Sequence, residues 1–156
     1  MHLPDIVLLQ PEIPPNAGNI IRLCANTGAS LHLIHPLGFA LEDRHLRRAG
    51  LDYAELAQVH EHASLAAYCR RREPARVFAL SARATRRYSE AEAGARDALL
   101  FGPETRGLPA EVLAAIPPEQ RLRIPMLAHS RSMNLANAVA VVLYDCWRRM
   151  GFPAAT

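Results

Sequence analysis

Short unbroken apolar runs alternate with longer mixed stretches along this chain. Residues 5–9, Asp-Ile-Val-Leu-Leu, read as a buried first strand. Residues 10–15 hold three prolines and read as a stiffened loop outside any helix. Asn16 then stands where a helix cap is expected. That helix carries Ile20, Ile21, Leu23 and Cys24 inward and stops at Gly28. A second strand follows over 31–35. The region 42–67 is less regular, and short helices are expected near 44–48 and 63–71. Strands are expected over 77–80, 99–101 and 122–124. Pro109 opens a short helix through Leu113, and a long helix runs over 134–150. Strands alternating with helices predict an α/β fold, a mostly parallel sheet covered by helices on both faces. Ligands of such sheets sit where the strands' carboxyl ends meet the loops. Here those loops are 10–16, 102–107 and 125–134.

The 156 residues, without repeat or low-complexity segment, suit a single domain over 1–156 with no separate RNA-binding domain. Half the residues are apolar, yet the longest apolar run, 138–144, is far short of the roughly 20 residues a membrane span needs. The first residues, Met-His-Leu-Pro-Asp, lack a basic segment, so no secretory signal is expected. Cys24, Cys69 and Cys146 are scattered, which fits reduced core thiols and a cytoplasmic location. All 18 basic residues are Arg. Lysine chemistry is thereby excluded: no Walker A lysine and no Schiff base. Seven histidines show no metal-ligand spacing, and no metal is expected. The net charge of +3 permits nucleic acid without demanding it.

Three segments can carry chemistry. In the first, Asn16, Asn19, Arg22 and Asn26 share a helix face that starts at a strand's carboxyl end. In the second, Phe101-Gly102-Pro103-Glu104-Thr105-Arg106-Gly107 sets a Glu and an Arg between glycines that permit close backbone approach. The third, Ser130-Arg131-Ser132-Met133-Asn134, gathers polar groups before the last helix. Taken singly, each also reads as caps and solvated surface. Residues 138–144 leave the last helix without a polar face for two turns, so cover on both sides is expected, from the sheet and from a second subunit.

Together, in this order and separation, the segments resemble the three motifs of the SPOUT RNA methyltransferases. They are closest to the TrmL (YibK-like) branch, to which Arg47-Arg48-Ala49-Gly50-Leu51-Asp52-Tyr53 is also similar. The resemblance covers nearly the whole chain. It implies a SPOUT fold with a C-terminal trefoil knot, which general topology rules argue against. It implies a homodimer that moves a methyl group from S-adenosylmethionine to the wobble ribose (position 34, C or U) of leucine tRNAs, with the anticodon stem-loop as partner.

By that resemblance, Leu80, Gly102, Glu104, Ile124, Met126, Ser132 and Met133 belong to the cofactor pocket. Arg22, Ser132 and Asn134 fall at the methyl-transfer site, Asn16, Arg22, Arg106 and Arg131 face the substrate, and Tyr144 is tied to dimer contact. His129 departs from the acidic residue expected before the Ser-Arg-Ser. Guanidinium stays protonated in proteins, so Arg22 reads as an orienter of the 2′-hydroxyl or its phosphate, with proton acceptance as the alternative. A SPOUT-like dimer that binds RNA without catalysis, the same reaction at another tRNA or rRNA position, and an unrelated nucleotide-binding α/β enzyme remain open.

Overall fold

The computed structural model describes residues 2–42, 53–56 and 58–156. The helix expected near 44–48 lies outside them, as does most of the 47–53 motif. The elements are β1 (Asp5–Leu9), α1 (Pro14–Thr27), β2 (Leu31–Ile34), α2 (Tyr53–Leu56), β3 (Val59–His62), α3 (Leu65–Arg72), β4 (Val77–Leu80), β5 (Arg86–Arg87), β6 (Ala98–Phe101), α4 (Ala110–Ala115), β7 (Arg121–Arg123) and α5 (Leu135–Arg149). The described strands form one sheet in the order β3-β2-β1-β6-β4-β7-β5. Every pair is parallel, from Ile6 beside Leu31 to Arg87 beside Arg123.

Helices cover both faces, as the alternating pattern predicts. Even-numbered residues of β1 and β2's Leu31 and Leu33 join Ile20, Ile21 and Cys24 of α1 and Val139, Val142 and Leu143 of α5. Odd-numbered Val7 and Leu9 join Ile34, Tyr68 of α3 and Leu113 of α4. β1 and β6 are buried on both sides, which explains their unbroken apolar runs.

One local expectation is corrected, and two short strands are added. The first helix is capped at Ile13, not Asn16, and Pro14 and Pro15 fill its first turn. Proline lacks an N–H that this turn leaves unpaired anyway, so it opens a helix as readily as it ends one. The short strands β3 and β5 escape the pattern: Val59-His60-Glu61-His62 and Arg86-Arg87 carry almost no apolar signal. Within this chain the sheet side of α5 is buried, and Val141 and Tyr144 on its outward face stand 36% and 41% exposed.

Beneath α3 lies a buried polar network. The Asp5 carboxylate accepts from the Tyr68 hydroxyl at 2.8 Å and from Arg72 Nε and Nη2 at 3.0 Å each. Its Oδ2 lies 3.3 Å from His32 Nε2, within ion-pair reach. His32 Nδ1 meets His62 Nε2 at 2.9 Å, and His60 stacks on His32. Burial pushes the Asp5 carboxyl up, but His32, Arg72 and Tyr68 outweigh it and hold the group well below the usual carboxylate range. Burial, and then the neighbouring His32 and arginine charges, lower His60 and His62 as well.

Both shifts act in one direction. A carboxyl depressed by folding contributes stability above its unfolded pKa, about 3.9, and loses it as pH falls through the folded value. A histidine depressed by folding leaves the unfolded chain binding more protons, so stability declines below about pH 6.5. Urea midpoints should therefore fall steadily from pH 7 towards pH 4. Tyr68→Phe should cost about 1–2 kcal/mol at pH 7 by stripping one buried partner. Asp5→Asn should cost more and flatten the limb below about pH 4. A wild-type midpoint independent of pH over this range would contradict the network's role.

Candidate active site

The three expected loops converge at the carboxyl ends of β1, β4, β6 and β7. They enclose a cleft of about 530 Å³ lined by Ile13 and Asn16, by Leu80 to Arg83, by Phe101 to Leu108, and by Ile124, Met126, Ser132 to Leu135 and Ala138. That volume falls within the roughly 300–1,000 Å³ typical of small-molecule sites.

Two carboxylates hold the cleft's wall. Glu104, from the β6–α4 loop, accepts the backbone N–H of Glu12 at 3.0 Å and of Ile13 at 2.5 Å. Glu12, from the β1–α1 loop, accepts the Thr105 N–H at 3.1 Å and its hydroxyl at 2.8 Å. The loops thus exchange carboxylates, and Glu104 places negative charge at the amino end of α1, where the helix dipole favours it. The Thr105 hydroxyl and N–H hold the Glu12 carboxyl below its ordinary value, and Arg106 adds to this. Glu104, expected against the cofactor, has its oxygens turned to loop backbone, so it acts as a positioning residue. Glu12 and Thr105 escaped the sequence reading. The only signal was an acid in each of two loops already singled out.

Glycine is required at 102. A Cβ there would lie 2.3 Å from the Leu108 backbone nitrogen and 2.4 Å from the Gly107 carbonyl carbon. Gly107 itself sits at φ +68°, where side chains are strained. The turn is held from outside by Arg83, which donates to the Leu108 carbonyl. On the far wall, Asn134 caps α5 by accepting from the Asn137 N–H at 3.2 Å and donates to Asn16 Oδ1 at 2.9 Å. Asn16 is buried, so the missed helix cap serves instead as a strut between α1 and α5.

Leu80, Gly102, Glu104, Ile124, Met126, Ser132, Met133, Asn134, Asn16 and Arg106 all line the cleft. Arg22, Arg131 and Tyr144 do not. Arg22 lies six residues past Asn16, about 9 Å along the axis at helical rise. Its Nε meets Glu55 of α2 at 3.4 Å. Arg131 is exposed in the β7–α5 loop, and Tyr144 lies outward on α5. Burial pushes the Cys24 thiol up to about 12 and the Cys146 thiol to about 11, so neither serves as a nucleophile. Among the described residues no cluster of three His, Cys, Asp or Glu is placed to hold a metal. No helix there is long and apolar enough to cross a membrane.

A parallel sheet covered on both faces, with a cofactor-sized cleft built from three loops, defines an α/β enzyme that works on a small bound molecule. More specifically, the chain belongs to the SpoU rRNA methylase family, whose profile matches residues 5–144. A tRNA (cytidine(34)-2′-O)-methyltransferase of Aeromonas hydrophila is 59% identical over 148 residues, covering 95% of each chain. Its counterpart in Yersinia pestis is 57% identical over 156 residues, covering 97% of this chain and 96% of that one. A solved structure described as giving insights into the 2-OH methylation of C/U34 on tRNA superposes with a TM-score of 0.87. It is 48% identical and covers 97% of this chain and 98% of its own.

Gly102→Ala should displace the 102–108 turn. S-adenosylmethionine affinity, measured by calorimetry, is expected to fall more than about tenfold, equivalent to about 1.4 kcal/mol. Unchanged affinity would place the cofactor elsewhere.

Proposed function

We propose that this chain is a tRNA 2′-O-methyltransferase that moves a methyl group from S-adenosylmethionine to the ribose of the wobble nucleotide, C or U at position 34. One observation carries the reading. All three motif loops of a methylase-family chain meet in a single cleft, and relatives matched over nearly their whole length are named for this activity.

The cleft fits the cofactor. Leu80, Ile124, Met126 and Met133 offer apolar walls for the adenine and methionine portions, and Gly102 lets the loop backbone close on them. Ser132 supplies a hydroxyl, and Asn134 keeps its second amide hydrogen after donating to Asn16. When bound, S-adenosylmethionine supplies an electrophilic methyl carbon on a sulfonium.

What this chain must do is hold the 2′-hydroxyl in line and about 3–3.5 Å away. Glu12 and Glu104 fix one wall of that space, and the Asn16–Asn134 contact fixes the other. Arg106 and Arg131 carry charge to the cleft's mouth for the RNA. Arg22 meets Glu55 through its Nε, and its planar, donor-rich guanidinium suits a phosphate or the 2′-hydroxyl. Its permanent charge makes it an orienter.

The finer readings belong to the same proposal. The substrates are leucine tRNAs, bound through the anticodon stem-loop, in the cytoplasm. Residues 5–144, which the family profile matches, work as one domain. β7 lies between β4 and β5, which are consecutive in sequence, so the 81–85 connection passes the end of β7 where the chain leaves for α5. That arrangement supports a threaded, knotted C-terminal segment. The outward face of α5, where Val141 and Tyr144 stand exposed, supports a homodimer packed through α5.

The test is transfer of labelled methyl to total tRNA from a strain deleted for this gene, with products mapped by mass spectrometry. A 2′-O-methyl mark at nucleotide 34 is expected; label at another nucleotide would overturn the assignment. Arg22→Ala should abolish transfer while S-adenosylmethionine affinity stays within a few fold. Wild-type turnover in that variant would remove Arg22 from the site. Tyr144→Asp should shift the light-scattering mass from dimer to monomer, and a wild-type protein already monomeric at micromolar concentration would refute the dimer.

A further inference from the structure

Most arginines in the described structure are committed to protein groups. Arg72 and Arg76 hold Asp5 and Asp97, and Arg148 and Arg149 hold Asp145. Arg121 donates to the Ile116 carbonyl just past α4, and Arg86 to the carbonyls of Glu90 and Glu119. The three arginines at the end of α3 are met by that helix's own dipole.

Arg87 and Arg123 are different. They are Cα partners across the parallel β5–β7 pair, so both side chains leave one face of the sheet side by side. Neither guanidinium enters an ion pair among the described residues. Like charges set directly opposite each other on a sheet destabilise it. β5 is the last strand of the sheet, so the pair stands at an open border. That border adjoins the cleft: Ile124 follows Arg123, and Arg83 precedes Arg87 by four residues, both lining it. Arg106 in the β6–α4 loop and Arg131 in the β7–α5 loop are likewise without an ion pair among the described residues.

We infer that the Arg87–Arg123 pair is a phosphate clamp for the RNA backbone beside the nucleotide held in the cleft. The inference rests on the function proposed above. Adjacent strands lie about 4.8 Å apart, which brings the two planar forks to one phosphate or to two successive ones. Guanidinium suits this task because it binds phosphate bidentately and sheds water more readily than an ammonium group. A bound phosphate also removes the repulsion between the two charges. Such contacts fix position and carry no sequence information, so the clamp adds affinity evenly across tRNAs.

The test compares wild type with Arg87→Gln/Arg123→Gln, with the charge-retaining Arg87→Lys/Arg123→Lys, and with Arg70→Gln/Arg96→Gln, which removes equal charge elsewhere. tRNA binding is followed from about 50 to 200 mM salt, alongside methyl-transfer kinetics. The double Gln variant should raise KM for tRNA roughly fivefold or more and lower the slope of log affinity against log salt by about 2. Its kcat and S-adenosylmethionine affinity should stay at wild-type values. The Lys variant should keep the slope, and the distant pair should change neither quantity. Wild-type KM and slope in the double Gln variant, or an equal loss in the distant control, would overturn the clamp. So would a fall in kcat or cofactor affinity, which would mark a structural role. If wild type binds tRNA without methylating it, the proposed function fails while the salt slopes still decide the clamp.

Discussion

The site depends on an exchange of carboxylates. Glu104 reaches from the β6–α4 loop to the backbone of Glu12 and Ile13, and Glu12 reaches back to Thr105. β1 and β6 are neighbours in register, so their loops emerge side by side. Neighbouring loops alone would be free to move apart. Four hydrogen bonds to ionised oxygens hold them, and bonds of that kind are roughly twice as strong as neutral ones. The start of α1, the tight 102–108 turn and one wall of the cleft are then fixed relative to each other. Asn16, two residues into α1, is carried to Asn134, and through it α5 is tied in. A site assembled from three loops thereby gains the rigidity that an in-line displacement requires.

The opposite half of the sheet does different work. The Asp5, Tyr68, Arg72 and histidine network lies under α3, on the face away from α1 and α5. It contributes stability and no part of the cleft. The molecule separates these duties by position: buried ion pairs and histidines near β2 and β3, a ligand cleft at the carboxyl ends of β4, β6 and β7, and an arginine border on β5 and β7.

Much of this was legible in the sequence. Runs such as Ala98-Leu99-Leu100-Phe101 are buried on both faces, so their apolar continuity identifies them as central strands. Ten of the candidate site residues meet in one cleft because loops at strand carboxyl ends must converge in a parallel sheet. The failures also have physical causes. β3 and β5 are edge strands with polar residues, so periodicity has nothing to register. The start of α1 was misplaced because prolines stop a helix in its middle but suit its first turn. Glu12 escaped notice because its partner lies more than ninety residues away, and no local pattern encodes such a pair. The Arg22–Glu55 contact, likewise between distant elements, is one that only the folded chain reveals.

The central claim is that the three loops form one cofactor site braced by Glu12 and Glu104. Backbone amide chemical shifts of this 17.2 kDa chain, followed by NMR as S-adenosylhomocysteine is added, test it most directly. The account predicts large shifts in residues 80–83, 102–108 and 124–134, a smaller response at Glu12 and Ile13 through Glu104, and silence in β2 and β3. Shifts concentrated around His32, His60 and Tyr68, or none at saturating ligand, would contradict it.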